Sequence, residues 1–154
     1  TLAGLPESVF ADVQKRITIT TGAKQLIDAV HGAGGKVGAV SGGFNQLLTP
    51  LAEILELDFA RANQLEVIDG FLTGKVLGAI VDRQAKADAL LEWSAATGTP
   101  IENTVAVGDG ANDLSMMAVA GLGVGFNCKP IVREHADFIL EGNDLSKLTE
   151  KLGL

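Results

Sequence analysis

The sequence predicts an α/β protein with a doubly wound, Rossmann-like parallel sheet and helices on both faces of that sheet. Three short apolar runs, at residues 36–40, 104–107 and 122–126, lack polar alternation, and glycines lie within or directly after each of them. Continuous apolar runs are typical of strands that are buried on both faces. Helical patterns fill the intervals between the runs, and strands that alternate with helices favour a parallel sheet.

Helical spacing of apolar residues recurs along the whole chain. The first stripe, at residues 9, 13 and 17, predicts an isolated helix with Pro6 at its first position, where proline is favoured. A second stripe begins at Ala23, and Gly32 or Gly34 is available to end that helix. Four further helices are predicted at residues 47–55, 87–95, 114–118 and 145–152, and one or two helical turns are predicted after Pro130, with Val132 and Ala136.

A β-hairpin interrupts this alternation. Two short strands, at residues 65–68 and 71–76, flank the dipeptide Asp69-Gly70. Asp-Gly is a strong signal for a two-residue hairpin turn, because both positions need a left-handed backbone.

Composition excludes several classes of protein. The chain has 154 residues and a formal net charge of −7, so it lacks the clustered basic residues that nucleic acids or anionic membranes require. Its single cysteine excludes an internal disulfide, and no apolar run is long enough to cross a membrane. We therefore expect a cytoplasmic globular protein that acts on a small molecule and not on nucleic acid or membrane.

Polar groups suited to a phosphate follow the first predicted strand. Ser41 supplies a hydroxyl, Gly42 and Gly43 leave backbone N–H groups approachable, and a helix is expected to begin near Phe44. A helix N-terminus offers unpaired donors and the positive end of the helix dipole. Ligands of such sheets bind beyond the carboxyl ends of the strands, where this segment would lie.

A second polar loop follows the next strand. Residues 108–113 contain Asp109, Asn112 and Asp113, and oxygen ligands of this kind suit Mg²⁺, which takes one or two carboxylates together with phosphate and water. The alternative is structural, since Asp-Gly and Asn-Asp also occur as turn and capping residues. Lys86, at the start of the predicted helix 87–95, is open to two interpretations as well: a phosphate ligand, or a solvated surface lysine.

Taken together, these motifs resemble those of haloacid-dehalogenase-type phosphatases in their order and spacing. The resemblance extends over essentially the whole chain, and residues 108–116 are its most specific part. The stretches that carry it are Ser41-Gly42-Gly43-Phe44, Lys86, Gly108-Asp109-Gly110-Ala111-Asn112-Asp113, Ala62-Asn63, Asp69-Gly70-Phe71-Leu72-Thr73-Gly74 and Lys129-Pro130.

The resemblance implies a role for each site residue. Ser41 and the Gly42 N–H would hold phosphoryl oxygens, Lys86 would neutralise phosphate and the attacking carboxylate, and Asp109 would bind Mg²⁺. Asn112 would hydrogen-bond near the phosphate. Asp113 would orient Lys86 or a metal-bound water.

The implied activity is a metal-dependent phosphomonoesterase, a hydrolase of serine biosynthesis that converts O-phospho-L-serine to serine and phosphate through an aspartyl-phosphate. Two alternatives remain open. One is a phosphatase of the same family that acts on another small phosphorylated metabolite. The other is a non-catalytic module that binds phosphate or Mg²⁺.

One departure from the family pattern limits these expectations. The family attacks with an aspartate of an Asp-x-Asp-x-Thr motif on the central strand, and no Asp-x-Asp occurs in this sequence. We therefore expect residues 1–18 to be the remnant of a helical cap and residues 19–154 to be a core without its first strand. Such a chain should be inactive alone, because the nucleophile is absent. It should also be marginally stable, unless its strands pair directly, a homodimer forms, or a strand from a missing N-terminal segment completes the sheet.

Overall fold

The computed structural model describes residues 2–154, and it confirms the α/β class. Its strands are β1 (Gly38–Phe44), β2 (Phe59–Ile68), β3 (Phe71–Leu77), β4 (Val105–Gly108), β5 (Leu122–Phe126) and β6 (Phe138–Leu140). Its α-helices are α1 (Val9–Gln14), α2 (Ala23–Gly32), α3 (Asn45–Leu55), α4 (Arg83–Thr97), α5 (Leu114–Val119), α6 (Pro130–Arg133) and α7 (Leu148–Leu152). Short 3₁₀ turns precede β4, α5 and α7.

The described strands form two three-stranded sheets. In the first, β1 runs parallel to β2, and β3 runs antiparallel to β2. In the second, β4, β5 and β6 are all parallel. The chain accordingly divides into two compact units: residues up to Ile19 with Gly38–Val81, and Thr20–Val37 with Asp82–Leu154.

The first unit contains the predicted hairpin. Asp69 and Gly70 connect β2 to β3, and both have positive φ angles, of 51° and 80°. Two consecutive left-handed residues are what the tightest hairpin turn requires, so the Asp-Gly prediction is confirmed. Leu65 and Leu72 on the two strands are each 2% exposed and form the centre of this unit's core.

The second unit has an apolar core under its parallel sheet. Val124 of β5, Leu140 of β6 and Leu148 of α7 are the buried centre of this cluster, and the partly buried Phe126 and Phe138 pack against it. Residues from two strands and the last helix therefore form the centre of this core. None of the described helices combines the length and the apolar character needed to span a bilayer.

Several sequence-based expectations need correction. Pro6 does not begin α1, because it forms a β-bridge with Phe71 and the helix begins at Val9. The three-residue strand β6 was not predicted at all. The strand β1 was expected to be buried on both faces, but its seven residues are all exposed or half-buried. Among the described strands, β1 lies at the edge of its sheet and pairs with β2 alone.

Candidate active site

The acidic loop after β4 is organised around the buried carboxylate of Asp113. One of its oxygens, Oδ2, accepts hydrogen bonds from the backbone N–H groups of Asp109, at 3.0 Å, and Gly110, at 3.3 Å. The Asp113 N–H in turn donates to the Gly110 carbonyl at 3.0 Å. The side chain of Asp113 therefore fixes the turn of the loop that carries Asp109.

Gly108 leaves room for this arrangement. A Cβ atom built at position 108 would lie 2.4 Å from the Cβ atom of Asp113, which is far inside van der Waals contact. Any larger residue at the end of β4 would displace the buried carboxylate. The glycine before the acidic loop is therefore a packing requirement of this site.

The other oxygen of Asp113 pairs with Lys86. The Nζ atom of Lys86 donates to Asp113 Oδ1 at 2.7 Å, and both side chains are 8% exposed. The solvated-surface interpretation of Lys86 is therefore wrong. The predicted place of Lys86 at the start of its helix is wrong as well. The helix α4 begins at Arg83 with Asp82 as its N-cap, so Lys86 lies in the second turn.

The electrostatics of the pair follow from these contacts. Burial would raise the pKa of the Asp113 carboxyl. The hydrogen bond from Lys86, the N–H groups of Asp109 and Gly110, and the attraction of the lysine charge outweigh burial, and they hold this pKa below its ordinary value. Asp113 is therefore an anion at neutral pH.

Lys86 keeps donor capacity beyond this pair. An ammonium group has three N–H donors. Within residues 2–154, Asp113 is the only side chain to which Lys86 donates. Two donors are thus left for an anion, which is what a phosphate-binding lysine requires.

Asp109 is placed differently from Asp113. It is exposed, its carbonyl accepts from the Lys129 N–H at 2.8 Å, and its carboxylate has no hydrogen bond or ion pair to any described residue. No three His, Cys, Asp or Glu side chains of the described residues are grouped to hold a metal ion. One free carboxylate nevertheless fits Mg²⁺, which completes its shell with water, phosphate and at most one further carboxylate.

Asn112 lies at the same loop. It is exposed, and its Oδ1 atom would be 3.0 Å from a Cβ atom built on Gly110. The structure therefore brings four predicted site residues together in the second unit: Lys86, Asp109, Asn112 and Asp113.

Ser41 and Gly42 belong to the first unit, where they lie within β1 and not in a loop after it. The Gly43 N–H donates to Ser41 Oγ at 3.0 Å. The helix α3 begins directly after β1, at Asn45. A hydroxyl, two glycines and a helix start therefore coincide, as the sequence predicted.

Known proteins match this chain over nearly its full length. The family model for haloacid dehalogenase-like hydrolases matches residues 1–118. A phosphoserine phosphatase of Streptococcus thermophilus is 49% identical over 152 residues, a match that covers 99% of this chain and 71% of that protein. A phosphoserine phosphatase of Mycobacterium tuberculosis is 48% identical over 154 residues, which cover 100% of this chain and 38% of that protein.

Solved structures agree with these matches. A probable phosphoserine phosphatase from Vibrio cholerae, in unliganded form, has a TM-score of 0.95 and 41% identity, covering 99% of this chain and 47% of that chain. A substrate-bound phosphoserine phosphatase complex has a TM-score of 0.92 and 43% identity, covering 97% of this chain and 71% of that chain. The chain thus spans between 38% and 71% of the length of these four proteins.

Proposed function

This chain belongs to the haloacid dehalogenase-like hydrolase family, and we propose that it is the part of a phosphoserine phosphatase that binds and neutralises the phosphoryl group. The whole enzyme would hydrolyse O-phospho-L-serine to serine and phosphate, as a cytoplasmic step of serine synthesis. The observation that carries the proposal is the buried Lys86–Asp113 pair, with two lysine donors left unused by the described residues.

Phosphoryl transfer is mainly a matter of positioning and charge neutralisation. Lys86 would donate its free N–H groups to a phosphoryl oxygen and to the attacking carboxylate. Asp113 would hold the ammonium in a fixed orientation, because its own carboxylate is fixed by two backbone N–H groups. The pair therefore supplies a positive charge that does not need to reorganise during the reaction.

Three other residues would contact the substrate or its metal. Ser41 and the Gly42 N–H would bind phosphoryl oxygens, and Asn112 would hydrogen-bond near the phosphate. Asp109 would be a ligand of Mg²⁺, which when bound draws negative charge from the phosphoryl oxygens. The nucleophile would be an aspartate outside these 154 residues, since the chain contains no Asp-x-Asp sequence, and it would form an aspartyl-phosphate.

The proposal is tested with the complete gene product and with this chain alone. Phosphate release from O-phospho-L-serine is measured with and without Mg²⁺, beside a panel of other small phosphomonoesters. We expect Mg²⁺-dependent release by the complete product and none by the 154-residue chain. Release by the chain alone would contradict an external nucleophile, and faster release from another ester would reassign the substrate. Phosphate binding without hydrolysis by the complete product would favour a non-catalytic module.

Substitution of Lys86 directly tests the role proposed for the buried Lys86–Asp113 pair. Lys86→Met should lower kcat/KM of the complete product by on the order of 10²–10³-fold, the cost of removing one preorganised transition-state donor. The matched control is Lys15→Met, because Lys15 pairs with Asp12 at 3.1 Å but is 75% exposed. Equal kcat/KM values for the two variants would show that Lys86 has no role in the proposed site.

A further inference from the structure

The segment Ser41–Gly43 is an irregularity inside a strand. The strands β1 and β2 pair in register up to Val40 and Arg61, and they pair again at Phe44 and Asn63. Between these pairs β1 has three residues and β2 has only Ala62. The extra residues bulge out of the ladder, and a bulge of this kind re-aims side chains and backbone groups.

The side chain of Asn63 holds the bulge in place through two hydrogen bonds. Its side-chain Nδ2 atom donates to the Gly42 carbonyl at 2.9 Å, and its Oδ1 atom accepts from the Val81 N–H at 2.7 Å. Asn63 is 7% exposed, so both amide atoms are used in a water-poor environment. The reverse orientation of the amide would oppose oxygen to oxygen and N–H to N–H, and these two bonds therefore determine its orientation.

The Gly42–Gly43 peptide is consequently held at both of its polar atoms. Its carbonyl accepts from Asn63, and its N–H donates to Ser41 Oγ at 3.0 Å. The Ser41 oxygen is thus used as an acceptor, and within residues 2–154 its O–H donates to no group. The hydroxyl proton is left for an external acceptor, and the chain of contacts that fixes it begins at Asn63.

We propose that Asn63 is a positioning residue: its amide holds the Gly42–Gly43 peptide so that the Ser41 hydroxyl presents its proton to a phosphoryl oxygen. This inference rests on the proposed function, because it concerns the phosphate ligand of that reaction. Asn63 does not itself touch the substrate. It acts through one peptide and one hydroxyl.

Asn63→Asp is the most selective substitution. The side chain keeps its shape, and one carboxylate oxygen can still accept from the Val81 N–H. The other oxygen then faces the Gly42 carbonyl without a donor, so the peptide must turn away. We expect kcat/KM of the complete gene product to fall about 100-fold, the usual loss when a binding group is misplaced by about 1 Å.

A double-mutant cycle with Ser41 distinguishes a positioning role of Asn63 from a merely structural one. If Asn63 acts through Ser41, then Ser41→Ala should cost a large factor in the parent protein but less than roughly threefold in the Asn63→Asp background. Hydrogen exchange of the Gly43 amide should also speed up in Asn63→Asp. Additive losses in the cycle, or an unchanged Gly43 exchange rate, would overturn the proposal.

Asn45→Asp is the matched control. Asn45 belongs to the same unit and bonds to the same strand, with its Oδ1 atom accepting from the Ala62 N–H at 2.9 Å, but it makes no bond to residues 41–43. An aspartate can still accept there and loses only the bond from Asn45 Nδ2 to Gln64 Oε1, at 3.4 Å. We therefore expect kcat/KM to fall far less than in Asn63→Asp. A loss equal to that of Asn63→Asp would mean that disturbance of β2, and not of the bulge, is the cause.

Failure of the proposed function is recognisable separately. If the parent protein hydrolyses no phosphomonoester, calorimetric titration with inorganic phosphate replaces the kinetic assay. Weaker phosphate binding by Asn63→Asp than by Asn45→Asp would still support the positioning role. Equal affinities, or no phosphate binding by the parent, would refute it.

Discussion

Two buried polar side chains anchor the two proposed phosphate-binding segments, and they differ in charge. Asn63 is neutral and bonds to two backbone groups, the Gly42 carbonyl and the Val81 N–H. Asp113 is charged and bonds to two backbone N–H groups and to the ammonium of Lys86. Both anchors are less than a tenth exposed.

The comparison indicates what each position requires. A buried ion pair is a poor source of stability, because the loss of hydration of both ions offsets most of their attraction. A neutral amide fixes a peptide at lower cost, as at Gly42. A charged anchor is therefore expected only where the reaction needs the charge itself, and in the proposed function that charge is the ammonium of Lys86.

Removal of the charged anchor, Asp113, should have the largest effect on the free energy of unfolding. Asp113→Ala would leave the Lys86 ammonium buried without a partner and the N–H groups of Asp109 and Gly110 without an acceptor. The free energy of unfolding should fall by about 3–5 kcal/mol, as for other buried pairs that lose one member. Urea titration of the complete gene product, monitored by circular dichroism, measures it.

The control for this substitution is an exposed pair. Asp12→Ala breaks the ion pair with Lys15, in which the two side chains are 75% and 70% exposed. Exposed pairs contribute little, so this variant should not differ from the parent beyond the error of the titration. A comparable loss in both variants would mean that burial does not distinguish the anchor.

Removal of the neutral anchor should cost less. Asn63→Ala leaves the Val81 N–H buried without a partner, whereas the carbonyl of the exposed Gly42 can still bond to water. One unsatisfied buried group costs about 1–3 kcal/mol. Urea titration monitored by circular dichroism should therefore give a smaller loss than Asp113→Ala. A larger loss would reverse the proposed order of the two anchors.

The difference between the two anchors also explains which site residues could be predicted from the sequence. Asp113, Lys86, Asp109 and Asn112 are recognisable because charged and amide side chains lie in one short loop or at a helix. Asn63 could not be recognised, because its partners are backbone groups at residues 42 and 81, and only the tertiary structure brings an amide to them. The pair Ala62-Asn63 is part of the family resemblance, but the sequence assigns it no role.

The fold shows the same limit. The hairpin was predicted because its turn is decided by two adjacent residues with positive φ angles. The strand β6 was missed because three residues carry no recognisable periodicity, and pairing with β5 defines it. Pro6 was misassigned for the same reason, since its bridge to Phe71 depends on a contact with a distant strand.

Acid should weaken the charged anchor and leave the neutral one unchanged. The pKa of Asp113 is lowered from its ordinary value of 3.8 in the folded protein. Its stabilisation is therefore fully present above pH 3.8 and is lost as the pH falls through the lower folded value. The parent protein should exceed Asp113→Asn in free energy of unfolding at neutral pH, and this difference should shrink below pH 3.8.

Asn63→Ala provides the internal reference for that titration. Its difference from the parent should be the same at every pH, because neither the amide nor its backbone partners titrate. Urea titrations of the three proteins from pH 7 to about pH 3 measure both differences. A constant difference for Asp113→Asn would show that the ion pair contributes nothing through its charge, and the distinction between the two anchors would then be one of hydrogen bonding alone.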